Sequence, residues 1–145
     1  MPTNSKRRKN KVAVQYAVRR RGVPSAASFR RWAALASFNA TLRIVGAREA
    51  RRLNSTFRKR DYATNVLSFP YGEGHGDVVL CHPVIAREAR AQGKPVAAHY
   101  AHLVVHGLLH LRGYRHEKKR EARRMERAEA RLLRRLGLDN PYAVE

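Results

Sequence analysis

His106-Gly107-Leu108-Leu109-His110-Leu111-Arg112-Gly113-Tyr114-Arg115-His116 is the stretch from which the rest of the chain can be read. Its histidines fall at i, i+4 and i+10. On an α-helix, residues four apart share one face a turn apart, so His106 and His110 can aim at one point. A third donor cannot come from the next turn of that helix. His102 and His110 lie eight residues apart, about 12 Å along the axis, whereas a Zn–N bond is about 2.0–2.1 Å. The helix has to end and the chain turn back. Gly113 is placed to stop it, since glycine takes the left-handed conformation without a Cβ penalty, and His116 then returns as the third ligand. Three imidazoles with no cysteine nearby describe a metal site with an open coordination position, which is the catalytic pattern.

The spacing is that of the H-E-x-x-H-x-x-G-x-x-H zinc peptidases, with one difference. Gly107 stands where those enzymes carry the glutamate that serves as general base. The sequence therefore offers the metal cage without the peptidase's own base.

Around this stretch, 145 residues make one domain with one core. Lysine and arginine number 31 against 11 acidic residues, a net charge of +20 and a pI near 11.5. That balance speaks for a polyanionic partner. Membrane surface is the competing polyanion, but no long helix sets Trp or Phe opposite Lys and Arg. The single cysteine, Cys81, excludes an internal disulfide and suits a reducing compartment. No run of 18 apolar residues exists, and the basic start around Lys6–Lys11 is not followed by a signal-peptide apolar region. A cytoplasmic protein is expected, with no membrane and no DNA partner.

No acidic residue precedes Glu49. Residues 1–11 read as a disordered basic arm, and 12–145 as a single domain. Val12–Val18 reads as a strand. Pro24 and Ser25 mark the start of a helix running to about Ser37, with Phe29, Trp32, Ala33 and Leu35/Ala36 on its core face. Thr41–Val45 is a second strand and Ala47–Asn54 a short helix. A basic loop, Arg58-Lys59-Arg60, leads into strand Asn65–Phe69, stopped by Pro70. Gly72, Gly74 and Gly76 make a turn, not a phosphate-binding fingerprint. Asp77–Cys81 is the hairpin partner of 65–69. Helices follow from Pro83 to Ala91, from about Pro95 through the histidines, and from Glu117 to about Leu136. The last carries Met125, Ala128, Leu132, Leu133 and Leu136 on one face, and nine basic against four acidic residues on the rest. The pattern β-α-β-α-β-β-α-α-α predicts an α+β domain with a small mixed sheet.

The combination Leu53-Asn54, Phe57-Arg58, Asp61, Thr64-Asn65-Val66-Leu67-Ser68-Phe69-Pro70, Gly76-Asp77 and the histidine stretch resembles the bacterial YbeY family, from about Val12 to Tyr142. The resemblance implies a zinc-dependent, single-strand-specific endoribonuclease acting in 16S rRNA 3′-end maturation and ribosome quality control. It also implies one zinc on His106, His110 and His116, association with the small ribosomal subunit, and a functional arginine at Arg58. There is one departure. The family's G-Y-D-H reads Gly113-Tyr114-Arg115-His116 here. If that aspartate orients a ligand imidazole, its loss costs roughly 10–100-fold in metal affinity, unless Glu117 substitutes for it. Two other classes are weighed: a non-catalytic ribosome-assembly factor with a structural zinc site, and a zinc peptidase, which Gly107 and the charge oppose.

Lesser features have simpler readings. His99 and His102 share the histidine face but fit hydrogen-bonded positions better than ligation. His75 and His82 read as surface residues near the glycine turn, Cys81 as an inert buried thiol and Met125 as core. Asp77 fits a general base or a hairpin-capping residue equally well. No aromatic cluster stands out as a stacking platform, although Tyr62, Phe69 and Tyr114 are candidates.

Overall fold

Alternation of side chains across Val12–Tyr16 (β1) half-buries every second residue and starts a four-stranded sheet in the computed structural model, which describes residues 11–35, 39–72, 75–113, 118–138 and 141. The remaining elements are α1 (Ala26–Ala34), β2 (Asn39–Val45), α2 (Ala47–Arg58), β3 (Val66–Gly72), β4 (His75–Cys81), α3 (His82–Gln92), α4 (Val96–Leu111) and α5 (Lys119–Arg135). Their order is the one expected from the sequence. The sheet runs β1-β2-β4-β3, with β1, β2 and β4 parallel and β3 antiparallel at the edge. The expected basic arm lies outside the described residues except for Lys11, whose N–H donates to Asn39 Oδ1 at 2.8 Å.

Both faces of the sheet are covered. Leu42, Ile44, Val78 and Leu80 point to one face, where they meet Phe29 and Trp32 of α1, the apolar side of α4, and Met125 and Leu133 of α5. Val45, Leu67, Val79 and Cys81 point to the other, against Ala50 of α2 and Val84 of α3. Full burial of one such aliphatic or aromatic side chain contributes roughly 1.5–3 kcal/mol. α4 lies at the centre and touches α1, α3, α5, β3 and β4. Its closest approach to the sheet is at Gly107, where an added Cβ would sit 2.7 Å from Val78 Cγ1 and 3.2 Å from Ser68 Oγ. The Ser68 hydroxyl donates to the Gly107 carbonyl at 3.0 Å. No glutamate fits there without parting helix from sheet, so the peptidase base is excluded by packing.

Several boundaries differ from those expected, each for a local reason. β1 ends at Tyr16, not Val18. α1 stops at Ala34, and the expected end at Ser37 falls outside the described residues; Ser25 caps its start, accepting from Ser28 N–H at 3.2 Å. α2 continues past Asn54 to Arg58, so Arg58 is the last residue of a helix and not part of a loop. Asn54 is buried and donates to the Tyr62 carbonyl at 2.8 Å, which lets the polar run Asn54-Ser55-Thr56 stay helical. Lys59, in the left-handed conformation at φ 60°, ends it. Pro70 does not stop β3, because an edge strand needs no N–H there; pairing continues to Gly72 across an irregularity between Pro70 and Gly72. Gly72 and Gly76 accordingly belong to strands, and Gly74 lies outside the described residues.

Candidate active site in the histidine cleft

α4 brings four histidines into a row. Ring centroids are 6.1 Å apart for His99–His102, 6.2 Å for His102–His106 and 4.7 Å for His106–His110. The (i, i+4) pair His106 and His110 is thus together, as the spacing requires. Helix α4 ends at Leu111, and Gly113, at φ 101°, donates its N–H to the His110 carbonyl at 3.0 Å. This is the helix stop expected of it. His116, the expected third ligand, lies outside the described residues, as do Arg115 and Glu117.

The carboxylate that meets the histidines is one the sequence reading placed on the exposed side of the last helix. Glu129 of α5 is fully buried and accepts from His102 Nε2 at 2.8 Å and His106 Nδ1 at 2.5 Å. A signal for it was present. Glu129 lies four residues after Met125 and four before Leu133, on the stripe that packs α5 onto α4. His102, His106 and Glu129 form a group among the described residues that could hold a metal ion, with donor atoms all within 4.8 Å of one another. Two ligands of one tetrahedral zinc at about 2.05 Å each stand roughly 3.3 Å apart. The 2.5 and 2.8 Å contacts are shorter and have the length of charge-assisted hydrogen bonds. At these lengths Glu129 is placed as a hydrogen-bond acceptor for both imidazoles, and it meets His106 on Nδ1. Such carboxylate–histidine pairs are the usual support of a metal-bound imidazole.

His99, too, is a hydrogen-bonded histidine. Its Nε2 lies 2.8 Å from Glu88 Oε1, which also accepts from Asn65 Nδ2 at 3.0 Å. Burial pushes the His99 imidazole below its ordinary pKa, with Glu88 opposing. His82 is half-buried rather than fully at the surface: its Nδ1 is 2.7 Å from the Tyr100 hydroxyl, and the rings stack at 5.9 Å. Cys81 is buried, and desolvation raises its pKa above the ordinary thiol value, so it is not a reactive thiolate. Met125 is core. Asp77 accepts from the Tyr71 hydroxyl on the hairpin.

In front of His106 and His110 lies a cleft of about 670 Å³, with Arg58, Arg60, Tyr62 and Ser68 on its other walls. Arg58 projects from the end of α2, and one of its terminal N–H groups donates to the Ser68 carbonyl at 2.6 Å. Its guanidinium carbon stands 5.7 Å from the centre of the Phe69 ring. Ser68 thus links Arg58, through its carbonyl, to Gly107 and the histidine helix through its hydroxyl. Among the described residues no carboxylate lines the cleft, while two arginines do. Arginines beside imidazoles give the cleft the sign that suits an anionic group such as a phosphodiester.

Comparison with known proteins agrees with this chemistry. The family described as "Endoribonuclease YbeY" matches residues 6–137. A relative from Stenotrophomonas maltophilia (strain K279a), named "Endoribonuclease YbeY", is 50% identical over 151 residues, covering 92% of this chain and 94% of the relative. One of the same name from Aromatoleum aromaticum is 55% identical over 126 residues, covering 83% and 82%. No helix among the described residues is long and apolar enough to cross a membrane.

Proposed function

The chain belongs to the YbeY endoribonuclease family, and from that membership we propose that it is a zinc-dependent enzyme cutting single-stranded RNA, acting in 16S rRNA 3′-end maturation at the small ribosomal subunit. The observation that carries the reading is the cleft. It pairs His106 and His110 with Arg58 and Arg60 and has no carboxylate among its described lining residues.

One zinc per chain would be held by His106, His110 and His116, a neutral three-imidazole set with room for a fourth ligand. The support that Glu129 gives His106 favours this placement. When bound, such an ion polarises a phosphoryl oxygen and lowers the pKa of a coordinated water towards about 7. Arg58 does what the chain itself can do for the transition state. One N–H is committed to the Ser68 carbonyl, which fixes the guanidinium against β3, and the remaining donors address the phosphate as charge grows on it. The basic residues among 1–11 and the basic face of α5 add sequence-independent attraction to RNA backbone. The single cysteine, which is buried, suits a reducing compartment, and we place the protein in the cytoplasm.

The ligand variants test this. His106→Ala, His110→Ala and His116→Ala should each lose bound zinc and cleavage of an unstructured RNA. A His116→Ala protein that kept a full equivalent of zinc would remove His116 from the ligand set.

A further inference from the structure

Three large apolar side chains are exposed among the described residues: Phe57 at 61%, Tyr62 at 52% and Tyr71 at 69%. All are aromatic, and all belong to the segments that wall one cleft. Tyr62 lines it directly, Phe57 precedes Arg58, and Tyr71 follows Pro70, another lining residue. Full burial of such a ring is worth roughly 1.5–3 kcal/mol, and the core on the α2 side, with Leu53, Ala63 and Phe69, lies close by. Two of the rings are nevertheless held in place rather than buried. Phe57 meets Phe69 edge to face at 5.4 Å, and the Tyr71 hydroxyl is given to Asp77. Tyr62 is set by its own carbonyl, which accepts from buried Asn54.

Every nucleobase has a π-face, and aromatic stacking beside a positive groove is the sequence-tolerant way to hold a single strand. A duplex cannot use such rings, since its bases already stack on each other. We infer that Tyr62 and Phe57 form a base-stacking subsite for unpaired bases of the RNA substrate, next to the phosphate clamp Arg58. This inference rests on the endoribonuclease reading and adds to it a physical origin for single-strand selectivity. Arg58 and Arg60 meet phosphates, while the rings hold the bases splayed away from the metal-bearing wall.

The test is binding of the full-length zinc-loaded protein to a labelled, unstructured 2′-O-methyl oligonucleotide, read by fluorescence anisotropy. A second oligonucleotide of the same length, with abasic sites in place of its bases, keeps the phosphates and lacks the π-faces. Tyr62→Ala and Phe57→Ala should each weaken binding of the base-bearing strand by about fivefold or more. Both should bind the abasic strand as the wild type does, with an unchanged salt dependence. Tyr62→Phe should restore binding, which a loss of the hydroxyl or of the fold would not allow. Variants that bind both strands like the wild type, or that lose equally on both, overturn the subsite. If the wild type binds the base-bearing strand no better than the abasic one, the subsite falls and the RNA-cleaving reading stands. If the wild type binds neither strand, the reading beneath it falls as well.

Discussion

Replacing Glu129 by glutamine should loosen the metal without unfolding the protein. The carboxylate is fully buried and receives two imidazole N–H groups, at 2.8 Å from His102 and 2.5 Å from His106. An amide of the same shape offers one oxygen and one NH₂. One of the two imidazoles must then face a donor and move its own proton to the opposite ring nitrogen. When that ring is His106, the proton arrives on Nε2, the nitrogen that would ligate. Loss of such an orienting partner costs roughly 10–100-fold in metal affinity, or about 1.4–2.8 kcal/mol at about 1.4 kcal/mol per tenfold. Glu129→Ala is a blunter change. It leaves two half-buried donors without their partner, at up to about 1–3 kcal/mol each, a large share of a typical stability of about 5–15 kcal/mol. Zinc dissociation constants from competition with a chromophoric chelator, measured beside melting of the metal-free proteins, separate the two effects. Wild-type zinc affinity in Glu129→Gln would refute the orienting role.

Arg58→Ala should keep its zinc, bind RNA within a few-fold and cleave roughly 10²-fold more slowly in single turnover; Arg58→Lys should recover only part, since a point charge cannot reproduce a two-pronged contact. Lost affinity with an unchanged rate would make Arg58 one more backbone contact. RNA affinity should fall with salt at a log–log slope of about −0.7 per neutralised phosphate; removing residues 1–11 should flatten that slope and leave cleavage, and a salt-independent affinity would contradict the electrostatic account. Stability should also respond to His99, whose pKa burial depresses. The unfolded chain takes up a proton near about pH 6.5 and the folded chain only at lower pH, so stability is complete above that point and declines as pH falls below it. His99→Gln keeps a donor towards Glu88 and cannot titrate, so denaturant midpoints compared between about pH 7 and 5 should fall less steeply in the variant. His82, pushed down by burial in the same sense, accounts for slope that persists.

The order of elements was legible because each carries its own pattern: alternation in β1, a short apolar run in β4, a period of three to four in α1, α4 and α5. The pairing of His106 with His110 and the stop at Gly113 followed from helix geometry alone. What escaped the sequence reading was decided by partners distant in the chain. Arg58 belongs to a helix because Asn54, a poor helix former, is buried and bonded to Tyr62. Pro70 stays in a strand because that strand lies at the sheet edge. Glu129 faces the core of a helix whose exposed side is crowded with arginines, so its charge disguised a position that its periodicity gave away. The exposure of Phe57 is also tertiary: its partner Phe69 takes the inner place, and Phe57 is left outside.

In the proposed enzyme, histidines on α4 and a metal ion cut RNA in the cleft that Arg58 lines. The most direct test is cleavage of a labelled, unstructured RNA by one preparation of the protein, assayed as purified, after chelation, and after zinc is returned. The active protein should hold one equivalent of zinc, lose cleavage on chelation while keeping its fold and RNA binding, and recover when zinc is added back. Cleavage that continues in a verified metal-free protein, or a folded, zinc-loaded protein that binds RNA and never cuts it, would rule out metal-dependent cleavage at this site.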